Sequence, residues 1–99
     1  NPPIFLVTRS RGPAWDDTQP LETQDGWTAH AAFMDGLVDN GFVLLGGPIV
    51  GTRDVCLGVR ANDAAEIEAQ LAQDPWRHQG LLVDVSIQLW TIRLGHLPQ

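Results

Sequence analysis

The sequence has no lysine, one cysteine and no apolar run approaching the length of a membrane span. Each absence excludes something. The lone Cys56 cannot build a disulfide framework within one chain or a cysteine-based zinc site. Without about 20 consecutive apolar residues, no membrane-spanning helix is expected. All six bases are arginine and face twelve acids, giving a net charge of -6 and a pI near 4.6. That balance lacks the basic stripe that holds a phosphate backbone, so nucleic acid is not an expected partner. Nor is an anionic membrane surface. The opening Asn1-Pro2-Pro3 carries no charged n-region and no signal h-region, so the expected compartment is a reducing cytoplasm. The missing initial Met reads as a processed or trimmed terminus.

What is present is the composition of a globular protein. The 99 residues are 43% hydrophobic and 18% charged, which is enough for a single domain over 1–99 with one core. Ile4-Phe5-Leu6-Val7 is an unbroken apolar run of β-formers, a strand to be covered on both faces. Residues 10–24 are rich in Gly, Pro, Asp, Thr and Gln and read as a long loop. From Gly26 to Asn40, Trp27, Ala31, Phe33, Met34, Leu37 and Val38 recur at three and four, an amphipathic helix stopped by Asn40-Gly41. Residues 42–50 form a second strand, and Pro48 in Gly46-Gly47-Pro48 assigns it to an edge or a bulge.

After a turn at 51–54, Val55, Leu57 and Val59 alternate along a third strand, with Cys56 and Gly58 on its other face. Asp63 and Glu66 fit a capping box for a second helix, with Ala64, Ile67 and Leu71 as its apolar stripe and Asp74-Pro75 as its end. Residues 82–94 form the last strand. Val83, Val85, Ile87 and Leu89 line one face, Asp84, Ser86 and Gln88 the other, and the phase flips at Trp90. The order β-α-β-β-α-β predicts an α+β, ferredoxin-like fold: a four-stranded antiparallel sheet with two helices on one face. Too little chain is left to cover the other face. The expected cover is a second copy, a homodimer with sheet facing sheet.

Four sets of residues also carry a family resemblance. They are Gly12-Pro13-Ala14-Trp15; Trp27-Thr28-Ala29-His30 followed by Phe33-Met34; Gly46-Gly47-Pro48; and Asp74-Pro75-Trp76 followed by Gly80-Leu81. In this order the chain resembles the YciI-like (YCII-related domain) family from Phe5 to Leu94. The resemblance implies a dimeric α/β barrel and a site on the first-helix His and the Asp of the Asp-Pro motif, here His30 and Asp74. It also implies small-molecule chemistry, because one related member is a dehydrochlorinase of a chlorinated hydroxyquinol and muconolactone isomerase is a relative by fold. Fold alone assigns no substrate.

The topology independently brings His30 and Asp74 to one end of the sheet. A carboxylate beside an imidazole fixes its tautomer, and the pair can move a proton at neutral pH. The competing reading is structural: His30 fills a half-buried helix face and Asp74 only caps the chain reversal. Trp15, Trp27 and Trp76 fall near the same end and suit a planar organic ligand, each indole N–H being a possible donor. Alternatively they bulk out a thin core, the stronger reading for Trp27. Trp90 reads as core or dimer interface. Arg9, where the first strand meets the loop, either holds a carboxylate or enolate oxygen or is a surface residue neutralising Asp16, Asp17 or Asp25. Pro48 and the glycines before it bring backbone close to a ligand or only bend the strand.

Cys56 reads as a small core residue, and His78 and His96 as solvated loop and tail. No histidine pair has metal-ligand spacing, so no metal is expected, and no cofactor is required. A haem reading would need His30 as an axial ligand. The expected function is proton transfer, elimination or isomerisation on a small organic molecule, of the lyase or isomerase type. The alternative is a dimeric small-molecule-binding or accessory module without turnover.

Overall fold

The computed structural model describes residues 2–95. His96 therefore lies outside the described residues. The strands are β1 (Ile4–Arg11), β2 (Val43–Pro48), β3 (Asp54–Arg60) and β4 (Leu82–Leu89). The helices are α1 (Trp27–Asp39), α2 (Ala64–Leu71) and the short α3 (Pro75–His78), with a 3-10 turn at Leu21–Thr23. The strands form one antiparallel sheet in the order β2-β3-β1-β4, which is the expected ferredoxin-like arrangement. No helix among the described residues is long and apolar enough to cross a membrane.

Alternation along β1 decides what the helices cover. Phe5, Val7 and Arg9 point to the helix side and are buried, while Leu6 and Thr8 point the other way. Register pairs Phe5 with Val59, Val7 with Leu57 and Arg9 with Val55 on the covered face. Phe5, Val7, Leu57 and Val59 meet Leu37 of α1 and Ile67 and Leu71 of α2 in one cluster, and each aliphatic side chain buried there is worth about 1.5–3 kcal/mol. His30 shares the inward face of α1 with Leu37, whereas Val38, expected on the stripe, is half exposed. Cys56 sits on the uncovered face beside Thr8 and is only partly buried, so it is not a core residue. Leu45 and Val83 also lie on that face, 53% and 37% exposed.

Three boundaries differ from expectation by more than a residue or two. β1 runs on to Arg11, which shortens the following loop and makes Arg9 a strand residue. Asp74-Pro75 begins a helix instead of ending one: α2 stops at Leu71, Asp74 caps α3, and Pro75 takes its first position, where no amide N–H is missed. β4 ends at Leu89, and its phase changes at Val85, not at Trp90. The register against β1 slips between Thr8 and Arg9, so Asp84 pairs with Arg9 on the covered face and Ser86 with Thr8 on the open one. Trp90 follows the strand and is 43% exposed, so it is not core within one chain. The capping box is present, with Asp63 accepting from the Glu66 amide at 2.9 Å and Glu66 accepting from the Asn62 amide at 2.8 Å. β2 lies at the sheet edge, as Pro48 required.

Gly12 passes directly against the Gly80 carbonyl, where a β-carbon would overlap backbone. Gly12→Ala is therefore expected to cost about 1–3 kcal/mol by overpacking. For a domain of this size that lowers Tm by roughly 4–8 °C per kcal/mol. Gly47, with open space around its would-be β-carbon, is the control. Gly47→Ala should shift Tm by less than about 3 °C in the same calorimetric scan.

Candidate active site

The capping role of Asp74 fixes the geometry around it. Its Oδ1 accepts the Trp76 amide at 2.9 Å, which turns the carboxylate inward instead of toward water. There Oδ1 meets His30 Nδ1 at 2.8 Å, and Oδ2 accepts from Arg9 Nη1 at 2.8 Å. Asp74 is fully buried and Arg9 is 1% exposed. Three elements thus converge on one carboxylate: β1 brings Arg9, α1 brings His30, and the α2–α3 junction brings Asp74 itself. Arg9 is a buried residue and does not neutralise Asp16, Asp17 or Asp25; Asp17 is held instead by Arg53 at the surface. Its second partner is Asp84, whose Oδ1 accepts from Arg9 Nε at 2.7 Å.

The electrostatics follow from that geometry. Burial pushes the Asp74 carboxyl up. The hydrogen bonds from His30 and Arg9, the His30 charge and the Trp76 amide pull it down and prevail, so the group lies below the usual carboxylate value. An ionised Asp74 accepts a proton-bearing Nδ1, which leaves His30 Nε2 as the nitrogen with a lone pair in the neutral ring. The ring itself is clamped: the Trp76 indole stacks on it at 3.9 Å between centroids, with planes 7° apart.

His30 forms part of the wall of a cavity of about 230 Å³. Trp15, Trp27 and Trp76 line it, with Arg9, Pro48 and the backbone of Gly46 and Gly47. Trp15 is buried, edge-on to Trp76 at 5.4 Å, with the Arg11 guanidinium 4.5 Å above its ring. The polar segment after β1 is therefore packed around its tryptophan. Gln24 fastens it further by donating to the carbonyls of Asp16 and Gln19. Trp27 is only partly buried and belongs to the cavity wall more than to the core. One expectation fails here: the Trp76 indole N–H is not free for a ligand, because it donates to the Asp25 carbonyl at 2.8 Å. His78 is exposed on α3 rather than in a loop.

Sequence reasoning missed Arg11, Asp84 and the apolar wall residues Leu21, Val55, Leu57 and Leu82. Period-two spacing from Arg9 could have found Arg11, and the strand alternation could have found Val55 and Leu57. Asp84 gave no such signal, since the bulge at Val85 puts it out of phase with its neighbours.

Among solved structures the chain is similar to 5-chloro-2-hydroxyhydroquinone dehydrochlorinase (TftG) from Burkholderia phenoliruptrix AC1100, in complex with 2,5-dihydroxybenzoquinone. The TM-score is 0.67 and the identity 22%, over 89% of this chain and 93% of that one. No protein-family model matches the sequence, and no curated protein matches it. The likeness shows the fold, an α+β ferredoxin-like domain, and agrees at that level with the YciI-like resemblance.

The depressed Asp74 carboxyl has a consequence for stability. Such a group stabilises the fold fully above its unfolded pKa, near ~4, and that contribution is lost as pH falls through the lower folded value. Asp74→Asn is expected to be less stable than wild type at neutral pH and to lose less as pH falls below about 5. Urea midpoints followed by circular dichroism check this; parallel pH profiles for the two proteins would contradict it.

Proposed function

We propose that the cavity is the active site of a small enzyme of the YciI-like type, with His30 as general acid/base and Asp74 orienting it. The observation that carries this reading is the His30–Asp74 contact of 2.8 Å at the wall of an aromatic cavity. Nε2 would take a proton from an acidic C–H or O–H of the ligand and return it at another atom or to water. The imidazolium formed in between faces the Asp74 carboxylate on one edge and the Trp76 ring on one face, both of which favour positive charge. Elimination, isomerisation and hydrolysis-type proton transfer all use this step.

Volume narrows the substrate. A dry apolar cavity of roughly 150 Å³ accepts benzene, and drug-sized ligands occupy roughly 300 Å³ or more. A cavity of about 230 Å³ walled by three indoles suits one substituted ring. The structural neighbour is a dehydrochlorinase of a chlorinated hydroxyhydroquinone and holds a quinone, which supports a ligand of that shape by analogy of fold. No cofactor enters the proposed chemistry. A homodimer through the open face of the sheet belongs to the same proposal. Leu45, Val83 and Val85 are each more than a third exposed there or at the β4 bulge, and a stable interface would bury more than roughly 1,000 Å² in total.

Two measurements test the proposal. Quinols, lactones and keto acids are to be screened for turnover by wild type and His30→Ala. The variant should lose about 10²–10⁴ in rate. Its stability should fall by under about 2 kcal/mol, because Asp74 keeps Arg9 and the Trp76 amide. Saturable binding with no turnover of any of these classes would instead favour the binding module. Light scattering should give a dimer at tens of micromolar; a monomer would remove the sheet-face interface.

A further inference from the structure

The buried guanidinium of Arg9 is incompletely used. Its Nε is given to Asp84 and its Nη1 to Asp74, at 2.7 and 2.8 Å. Its Nη2 has no hydrogen-bond partner, although it is shielded from solvent. A buried donor of a charged group left unpaired is costly, by about 1–3 kcal/mol or more, and is uncommon in a settled core. Arg9 is also one of the cavity-lining residues. The two carboxylates fix the plane of the guanidinium, so the free Nη2 is presented in one direction without losing side-chain freedom at the moment of binding.

The charge on the cavity wall points the same way. The chain carries twelve acids against six arginines. Yet among the described residues that line the cavity, Arg9 and Arg11 are the charged ones and no carboxylate occurs. Asp74 and Asp84 stand behind Arg9 rather than in the wall. An acidic protein has thus collected cations and a histidine around one apolar space. Such a wall offers a cation no carboxylate to pair with and offers an anion guanidinium donors, which bond charged oxygens more strongly than neutral ones.

Resting on the small-molecule site proposed above, we infer that its ligand is a single-ring organic acid whose ionised oxygen, carboxylate or phenolate, takes Arg9 Nη2 while the ring lies among the tryptophans. Arg9 and His30 are bound to the two oxygens of one carboxylate and line one cavity, so a single small ring is the ligand size that would serve both. Arg9 selects and anchors, and His30 reacts.

The test is binding, read from tryptophan fluorescence and confirmed by calorimetry, with benzoate and its neutral isostere benzamide as probes. Phenol and 4-nitrophenol, neutral and ionised at pH 8, form the phenolate arm. Wild type should bind the anion of each pair about tenfold or more tighter than the neutral partner. Selectivity in only one pair assigns the oxygen to that class. Equal affinity within both pairs, or preference for the neutral partners, overturns the inference and leaves Nη2 to an ordered water. Arg9→Lys, which keeps the charge but not the fork, should lose the selectivity; a folded variant with selectivity intact also overturns it. Should that variant fail to fold, the wild-type pairs still decide. His30→Ala should retain the selectivity, so anion preference without turnover defeats the catalytic reading alone, and turnover without anion preference defeats this one alone.

Discussion

The carboxylate of Asp74 ties β1, α1 and the α2–α3 junction together at one point. It accepts one backbone amide and two side-chain donors, all between 2.8 and 2.9 Å, while carrying a charge with no access to water. Taking an ion out of water costs several kcal/mol, and only such a set of donors offsets it. The arrangement therefore works as a whole. Removing Asp74 or Arg9 leaves a buried charge without its partner, which typically costs about 3–5 kcal/mol, whereas loss of His30 leaves Asp74 with Arg9 and the Trp76 amide. The structural role of Asp74 therefore leaves room for the orienting role proposed above. The group that caps α3 also holds the His30 tautomer and neutralises Arg9.

Arg9 extends the same logic into the sheet. A guanidinium on the covered face of β1 demands a second acceptor, and β4 supplies it only by breaking its own alternation. Read as a regular strand, residues 83–89 place Val83, Val85, Ile87 and Leu89 together and Asp84 opposite. The bulge at Val85 turns Asp84 toward Arg9 while keeping Ile87 and Leu89 on the covered side. An uninterrupted strand would bury Val83 and Val85 but leave Arg9 one carboxylate short. The electrostatic requirement outweighs the apolar area lost, and Val85 stays 60% exposed.

The sequence was legible where local signals agreed with the global fold. The element order, the capping box of α2, the edge position of β2 and the inward alternation of β3 all follow from residue patterns that packing did not override. His30 and Asp74 could be placed at one end of the sheet because topology alone brings them there. What could not be read depended on distant partners. Pro75 carries the same signal whether it stops one helix or starts the next, and only the turn of chain at 72–74 decides. The burial of Arg9 depends on Asp74 and Asp84, which lie 65 and 75 residues away in sequence. The indole N–H of Trp76 looked available until the Asp25 carbonyl, beside the start of α1, was found to accept it.

The cavity owes its shape to backbone as much as to side chains. Where β2 passes it, Gly46 and Gly47 contribute no side chain, and a β-carbon at Gly46 would press on the Leu57 side chain and the Cys56 carbonyl. The wall at that point is therefore peptide, which enlarging or trimming a side chain cannot easily move. The same wall holds Trp76 and Trp15, themselves pinned: Trp76 by its stack on His30 and its bond to Asp25, Trp15 by Trp76 and Arg11. A space walled in part by backbone and in part by interlocked indoles changes volume only at the cost of the fold. For the ligand proposed above, discrimination would then fall on the polar groups rather than on fit. One missing methylene in an apolar pocket is worth about 1–3 kcal/mol, whereas a buried polar group left unpaired by the wrong ligand can reject it by factors of about 10⁴–10⁵. In this cavity the group that would be left unpaired is the guanidinium of Arg9.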